Sequence, residues 1–212
     1  MTSISAVTRV VANNIHKRFH LRRVLKNISF EVQRGSAVVI TGPNGSGKST
    51  LVKILTGLLS PTGGEVQYEV AGKLKAPSNV IHDIGLVSPY LQLYPDLTAR
   101  EHIQFFARLH GCTNEIERSE ALMTQFGLAG REWDTIRTYS SGMLQRMKYV
   151  LALLHQPSVL FLDEPSANLD AEGKAVVARL IQEYKQEHIV VLATNEVDEI
   201  SWGDIRVDVT AQ

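Results

Sequence analysis

The chain has 212 residues, of which 44% are hydrophobic and 21% are charged, so it can bury a sizeable core as one domain or as one domain with an inserted subdomain. Its 22 basic and 22 acidic residues cancel, which leaves no overall electrostatic field to attract nucleic acid or anionic lipid. No uninterrupted apolar stretch approaches the roughly 20 residues of a membrane span, and the single cysteine, Cys112, cannot form an internal disulfide, which suits a reducing cytoplasm.

The first part of the chain alternates β-favouring runs with turns, a pattern that predicts strands. The predicted strands lie at residues 8–12, 28–32, 37–41, 65–70 and 84–87. After the third of these strands, residues 50–58 have the spacing of a helix.

A glycine-rich loop connects the strand at 37–41 to this helix and matches the pattern G-x-x-x-x-G-K-S. Gly42 and Gly47 permit sharp turns that aim successive backbone N–H groups at an anion, beside the positive end of a helix. Lys48 would follow the β- and γ-phosphates of a nucleotide, and the Ser49 hydroxyl would hold Mg²⁺. We therefore predict a phosphate-binding loop that consists of Gly42, Pro43, Asn44, Gly45, Ser46, Gly47, Lys48, Ser49 and Thr50.

The hydrophobic period becomes that of helices from residue 98 to about residue 156. Thr98 and Glu101 have the spacing of a capping box, which predicts the start of a helix at this point. Ser140, Ser141 and Gly142 would begin another helix, and small residues with free N–H groups at a helix N-terminus form an anion site. Because the chain already has a phosphate-binding loop, a second anion site suggests a second subunit.

A β-α-β unit follows Pro157, with predicted strands at 159–162 and 189–193 and a helix at 172–185 between them. The pattern predicts an α/β nucleotide-binding lobe that a helical insertion interrupts. The lobe comprises residues 1–88 and 157–212, and the insertion comprises residues 89–156.

Two adjacent carboxylates, Asp163 and Glu164, follow the apolar strand at 159–162. Buried strands rarely end this way unless a cation or a reaction offsets the desolvation of the charges, although a solvated strand end is the alternative. We predict that Asp163 binds Mg²⁺. Glu164 should face the other way because side chains alternate along a strand, and it would be the general base for an attacking water.

With these motifs in place, the chain resembles the ATP-binding cassette (ABC) ATPases, the nucleotide-binding subunits of ABC transporters, over almost its whole length. Its phosphate-binding loop has that family's form. The segment 166–170, Ser-Ala-Asn-Leu-Asp, is similar to the family's D-loop, and the segment 139–146, Tyr-Ser-Ser-Gly-Met-Leu-Gln-Arg, is similar to its LSGGQ signature. The resemblance implies a P-loop NTPase core with a mostly parallel sheet, an antiparallel β portion and an inserted α-helical subdomain.

The resemblance also implies the rest of the ATP and Mg²⁺ site. Phe19 stands where the family places an aromatic residue that stacks on adenine, although it could instead be a core residue. Two chains would close head to tail over two ATP molecules, as a homodimer or as a heterodimer with a second cassette. Asp170 would lie at the dimer seam, and the signature residues that would act on the partner's nucleotide are Ser140, Ser141, Gly142 and Met143.

Two positions depart from the family pattern. Pro89 stands where the family has the Q-loop glutamine, so Gln92, three residues later, is the candidate to take over its contact with Mg²⁺. Asn195 stands where the family has a histidine. An asparagine can hydrogen-bond a γ-phosphate oxygen but cannot carry a positive charge, so we expect binding to survive and hydrolysis to be slow.

The implied function is ATP hydrolysis that drives separately encoded integral membrane permease subunits through dimer closure, at the inner face of the cell membrane. The signature variant is similar to that of small exporter-type cassettes, including haem-exporter-like ATPases. Two alternatives stay open: a soluble cassette ATPase of an assembly system, and a weakly hydrolysing regulatory module, which Pro89 and Asn195 suggest. No nucleic-acid partner is expected.

Overall fold

The computed structural model describes residues 6–112 and 114–209, which form two sheets and a group of helices. The strands are β1 (Val7–Phe19), β2 (Arg22–Gln33), β3 (Ala37–Thr41), β4 (Gly63–Val70), β5 (Lys73–Lys75), β6 (Ile84–Val87), β7 (Val159–Asp163), β8 (Ile189–Thr194) and β9 (Ile205–Asp208). The α-helices are α1 (Lys48–Leu55), α2 (Ala99–His110), α3 (Glu115–Gln125), α4 (Ser141–Leu153), α5 (Ala171–Tyr184) and α6 (Val197–Ile200), with short 3₁₀ turns at Pro77–Asn79, Ile81–Asp83 and Ile136–Thr138.

The parallel sheet has the strand order β6-β7-β8-β3-β9 and separates two hydrophobic cores. Every residue of β3, β7 and β8 is buried, as expected for a sheet covered on both faces. Alternate residues enter opposite cores: Leu160 and Leu162 pack with the helices α2 to α5, whereas Val159 and Phe161 pack with α1 and the antiparallel sheet. The carboxyl ends of these strands therefore share one edge, where parallel sheets place ligands.

The antiparallel sheet has the strand order β2-β1-β4-β5, and its first two strands are much longer than the sequence predicts. The pairing register of β1 and β2 shifts between Ala12 and Ile15 and again before Lys17, and Asn14 has a φ of 49°. These bulges break the alternation of buried and exposed residues, which is why the pattern revealed only residues 8–12 and 28–32.

The helices α1 and α5 begin and end close to their predicted positions, and α2 and α4 begin where predicted, whereas α3 lies in the predicted helical region without a predicted start or end. The predicted capping box at α2 is confirmed, because the Thr98 hydroxyl accepts a hydrogen bond from Glu101 N at 3.1 Å and Thr98 N donates to Glu101 Oε2 at 2.7 Å. Three elements were missed: β5, β9 and α6. Among the described residues, no helix combines the length and the apolar character needed to cross a membrane.

Candidate nucleotide site

The phosphate-binding loop joins the end of β3 to the start of α1, and two of its glycines have no room for a side chain. Gly42 has a φ of 148°, and a Cβ there would lie 2.7 Å from the Ser46 hydroxyl and 2.8 Å from a methyl group of Val209. Gly47 caps α1 with a φ of 111°, and a Cβ there would lie 2.8 Å from a methyl group of Leu25. The loop can therefore close tightly on an anion at the helix N-terminus.

Two donors inside this loop are suited to a phosphate group. Lys48 is only 6% exposed, and its ammonium donates to the carbonyl oxygens of Gly42 at 2.8 Å and Pro43 at 3.2 Å. The Ser46 hydroxyl is buried and has no hydrogen-bond partner among the described residues. A bound phosphate would supply acceptor oxygens for both donors, so the loop fits a nucleoside triphosphate.

The candidate metal ligands meet at the adjacent ends of α1 and β7. The Ser49 hydroxyl donates to Asp163 Oδ1 at 3.1 Å, and the Ser88 hydroxyl makes a longer hydrogen bond of 3.5 Å to Asp163 Oδ2. Burial raises the pKa of the Asp163 carboxyl, which is 1% exposed, and the charge of Glu164 adds to this, while Ser49, Ser88 and Lys48 oppose it. Mg²⁺ is coordinated by hydroxyl and carboxylate oxygens, so these residues fit the ion.

The remaining positions around such an ion would come from phosphates and water. Within residues 6–112 and 114–209, no group of three or more His, Cys, Asp or Glu side chains is placed to hold a metal. The Ser49–Asp163 pair suits Mg²⁺, which keeps several waters and uses one or two protein ligands together with substrate phosphates.

Glu164 lies just beyond β7. Its side-chain direction is set by a backbone turn and not by the alternation along a strand that the sequence suggested. The strand ends at Asp163, and Glu164 turns into the left-handed region with a φ of 53°. The expected alternation along the strand therefore does not apply to it. Such a conformation costs a non-glycine residue roughly 1–3 kcal/mol, and the next residue is held firmly, because Pro165 O accepts hydrogen bonds from Tyr149 at 2.7 Å and Gln145 at 3.3 Å.

The structure brings Glu164 and Asn195 together. Both line a cavity of about 260 Å³ at the carboxyl edge of the sheet, and both are exposed. Beside it, the Ser166 hydroxyl donates to Glu199 Oε1, whereas the buried Glu199 Oε2 has no partner among the described residues. Sequence reasoning placed Ser166 in the segment 166–170 without this contact, and it missed Glu199, since a single glutamate carries no recognisable pattern.

The signature segment begins α4 as predicted. Ser140 is the N-cap residue and its hydroxyl accepts a hydrogen bond from Met143 N at 3.2 Å, while Ser140 and Ser141 are exposed. A Cβ at Gly142 would lie 3.1 Å from Asn168 O, so the signature packs closely against the segment that follows Glu164.

Asp170 has a defined structural role in the single chain. Its carboxylate caps α5 by accepting from Gly173 N at 2.9 Å, and it pairs with Arg146 of α4 at 2.7 Å. These two interactions, the Gly173 hydrogen bond first, lower the pKa of Asp170. The position of Asp170 at a dimer seam stays a prediction.

Phe19 is 43% exposed at the end of β1, so the alternative that it is a core residue is wrong. The Lys17 ammonium lies 5.1 Å from the centroid of its ring. The same hairpin reaches the phosphate-binding loop, since a Cβ at Gly47 would lie 2.9 Å from a methyl group of Val24. The ring is therefore available for stacking on a nucleotide base.

The segment after β6 leads into an apolar groove of about 600 Å³. Pro89 and Gln92 are exposed, and Gln92 lines this groove. The side chain of this segment that bonds Asp163 is Ser88, which the sequence reasoning missed. A polar residue directly after a strand next to β7 was the available signal. The contact of Gln92 with Mg²⁺ stays a prediction.

Comparison with known proteins extends this description. The sequence model of the ABC transporter family matches residues 25–167. The linearmycin resistance ATP-binding protein LnrL of Bacillus subtilis is 30% identical over 95% of this chain and 66% of its own length. The daunorubicin resistance ATP-binding protein DrrA3 of Streptomyces coeruleorubidus is 34% identical over 81% of this chain and 55% of its own length.

A solved structure described as the ATP binding subunit of an ABC transporter superposes with a TM-score of 0.85 at 26% identity, covering 95% of this chain and 86% of its own. The chain thus spans 66% and 55% of the lengths of the two resistance proteins.

Proposed function

Because the chain belongs to the ABC transporter family, we propose that it is the ATP-binding and ATP-hydrolysing subunit of an exporter that works with separately encoded membrane permease subunits. The observation that carries this proposal is the convergence of three features at one sheet edge: the phosphate-binding loop with Lys48, the Ser49–Asp163 pair, and the cavity that holds Glu164 and Asn195. Export is supported by the relatives named for drug resistance.

The residues of the site divide the chemistry between them. Lys48 would donate to phosphate oxygens in place of the loop carbonyls, and the Ser46 hydroxyl would donate to a phosphate oxygen as well. Ser49 and Asp163 would hold Mg²⁺. When bound there, the ion would neutralise charge on the phosphates. Glu164 would accept the proton of the attacking water, and Asn195 would donate a neutral hydrogen bond to the γ-phosphate.

A second chain would complete the site. The exposed hydroxyls of Ser140 and Ser141 stand at the N-terminus of α4, where a phosphate is stabilised by free N–H groups and the helix dipole. The same chain's loop binds its own nucleotide, so this end of α4 would act on the nucleotide of a partner cassette. We therefore propose a head-to-tail dimer, either of two copies or with a second cassette, that closes on ATP.

The apolar groove is the proposed contact with the permease, which would hold the chain at the inner face of the membrane. It is lined by large apolar side chains of the segment after β6 and of α2, and Leu91, Phe105 and Leu109 among them are exposed. Exposed apolar patches of this kind mark interaction sites, and a groove of this form accepts an amphipathic helix. The proposed occupant is a cytoplasmic helix of the permease.

Isothermal titration with MgATP tests the nucleotide site. The Lys48→Ala change removes the charged donor of the loop, so affinity should fall by at least about tenfold, since a hydrogen bond to a charged group contributes roughly 1.5–3 kcal/mol. Lys53→Ala in the same helix is the matched control and should bind like the parent protein. Equal affinities for all three proteins would refute the assignment.

If a protein with several apolar spans is encoded beside this chain, co-expression of the two tests the permease contact. The parent protein should be recovered in the membrane fraction, and Phe105→Glu should release it while its MgATP affinity is retained. Ile116→Glu is the control, since Ile116 is also exposed but lies on α3 outside the groove. Release of both variants, or of neither, would contradict the groove assignment. Binding to a soluble scaffold instead would favour an assembly ATPase.

A weakly hydrolysing regulatory module is the second candidate, favoured by Pro89 and Asn195. It is distinguished by the turnover of the parent protein, which in that case would equal the turnover of a variant that lacks the Glu164 carboxylate.

A further inference from the structure

Ser88 occupies a junction between the candidate metal ligand and the groove. Ser88 is only 5% exposed. Its hydroxyl lies 3.5 Å from Asp163 Oδ2 and also accepts a long hydrogen bond from Tyr90 N at 3.4 Å. Its carbonyl oxygen accepts from Leu91 N at 3.2 Å, which closes a turn over residues 88–91. Any movement of this turn therefore moves the group that contacts Asp163.

Pro89 has a physical role in this turn. Proline is favoured at the second position of a turn because its φ is already fixed there, and serine is favoured at the first. Leu91, at the end of the turn, lines the groove. Pro89, which stands where the family has a glutamine, thus restricts the conformation of the turn between the groove and Asp163.

Lys148 joins α4 to the same junction. Its ammonium donates to Ser88 O at 3.0 Å, and its side chain lines the groove. Burial lowers the pKa of Lys148, so the ammonium is partly removed from water and depends on this carbonyl. A helix seated in the groove would contact Lys148 directly.

We propose that the Ser88 turn and Lys148 couple the groove to the magnesium site in this chain, in place of the missing Q-loop glutamine. Both act as positioning residues: a partner in the groove displaces Lys148 and the turn, and the Ser88 hydroxyl passes the displacement to Asp163. The reverse path carries metal and nucleotide binding to the groove. The coupling is a contiguous pair of hydrogen bonds between two sites, and it rests on the proposed nucleotide and permease functions.

Hydrogen exchange tests this coupling without measuring hydrolysis. Addition of Mg²⁺ and a non-hydrolysable ATP analogue to the parent protein should protect residues 42–50 and change exchange at residues 89–94. Ser88→Ala and Lys148→Met should keep the first response and lose the second. Lys53→Met is the matched control. It removes a lysine ammonium that packs on the same segment, 3.8 Å from the centroid of the Tyr90 ring, but is not part of the Ser88–Asp163 connection, so both responses should be kept.

A response at 89–94 in Ser88→Ala and Lys148→Met equal to that of the parent protein would overturn the coupling. Absence of protection at 42–50 in the parent protein would instead refute the nucleotide site, and the coupling with it. The two failures are therefore distinguishable.

The metal dependence of binding gives an independent measurement. In the parent protein, Mg²⁺ should strengthen binding of the analogue relative to EDTA, and Ser88→Ala should reduce that gain by roughly 3- to 10-fold, the range of one net hydrogen bond. Ser88→Thr keeps a hydroxyl and should retain the full gain from Mg²⁺. Gln92→Ala separates this proposal from the alternative that Gln92 contacts Mg²⁺: the gain should be kept if Ser88 makes the link and lost if Gln92 makes it. A full gain in Ser88→Ala, or its loss in Gln92→Ala, would transfer the role to another residue and overturn the proposal.

Discussion

At the scale of single residues, Glu164 combines an uncommon backbone conformation with a rigid support. Its left-handed φ ends β7, and Tyr149 and Gln145 of α4 fix the carbonyl of the following residue. The signature helix is thus bonded directly to the backbone beside the proposed base. The position of the carboxylate should therefore respond to the state of α4, the helix proposed to contact the partner's nucleotide.

The change Glu164→Gln removes the proposed base while keeping its size. Hydrolysis should fall by at least about 100-fold, because the amide cannot accept a proton from water, whereas MgATP affinity should be retained. Phosphate release measures the first effect, and size-exclusion chromatography with MgATP should show a trapped dimer. Glu196→Gln, on an exposed carboxylate that lines the same cavity, is the control and should hydrolyse like the parent protein. Parental turnover in Glu164→Gln would rule out the base.

Asn195 shares this cavity and carries no charge. In Asn195→His, an imidazolium could bond the γ-phosphate in the transition state, and hydrolysis should rise about fivefold for a gain of about 1 kcal/mol. The gain should decline at pH values above the pKa of the introduced ring, about 6.5 without perturbation and higher beside a phosphate. Turnover measured from pH 6 to pH 8 tests this, and an unchanged or lower rate throughout would show that the absence of a histidine at position 195 does not slow hydrolysis.

At the scale of elements, the start of α2 combines a capping box with a position beside the groove. Thr98→Ala removes the hydroxyl that accepts from Glu101 N, which should cost about 1 kcal/mol and lower the Tm by roughly 2–4 °C. Thr124→Ala is the control, since the exposed Thr124 hydroxyl donates within α3 and caps no helix start. Thermal unfolding followed by circular dichroism compares the two, and equal shifts would mean that the cap adds nothing.

The elements also show what the sequence can predict. The strands β3 and β6 were predicted correctly, since apolar runs are local signals. The glycine spacing also predicted a turn between β3 and the following helix, although that helix begins at Lys48 and not at residue 50. The edge strand β9 was missed because two of its four residues are exposed and two are only partly buried, so no apolar pattern marks it. Ser88 and the orientation of Glu164 depend on contacts between distant segments and on a turn, which periodicity does not encode.

At the scale of the whole molecule, the parallel sheet sets the geometry of the site. Its two cores enclose the parallel strands β3, β7 and β8, whose carboxyl ends lie at one edge and lead into the loop, Asp163 and Asn195. The helices α2 and α4 pack on one face, and α4 reaches the same edge through Lys148, which donates to Ser88 O. The groove and the nucleotide site are therefore parts of one packed unit.

A histidine pair in this unit, at the groove, predicts how the stability of the whole chain depends on pH. His155 stacks on His110 with ring centroids 3.8 Å apart, and its Nε2 lies 3.1 Å from Ile84 O, so the neutral ring donates there. Burial, and after it the neighbouring charges of His110, His82 and Arg118, lower the pKa of His155 to about 4, while the hydrogen bond to Ile84 opposes this shift. The folded chain therefore binds a proton at this ring less readily than the unfolded chain, whose histidine titrates near 6.5.

Between pH 6.5 and pH 4 the unfolded chain holds more protons at this ring, so the free energy of unfolding must decrease as the pH falls through that window. The pKa difference amounts to roughly 3 kcal/mol at its lower end. His155→Gln keeps a donor for Ile84 O but cannot be protonated, so its stability should decline less steeply on acidification. Urea unfolding of both proteins at pH 7, 6, 5 and 4.5 measures the difference, and because both share every carboxylate, acid effects on those groups cancel to a first approximation. Parallel curves would show that the His155 ring is protonated as readily in the folded chain as in the unfolded one, and that the stacked pair imposes no penalty on its charge.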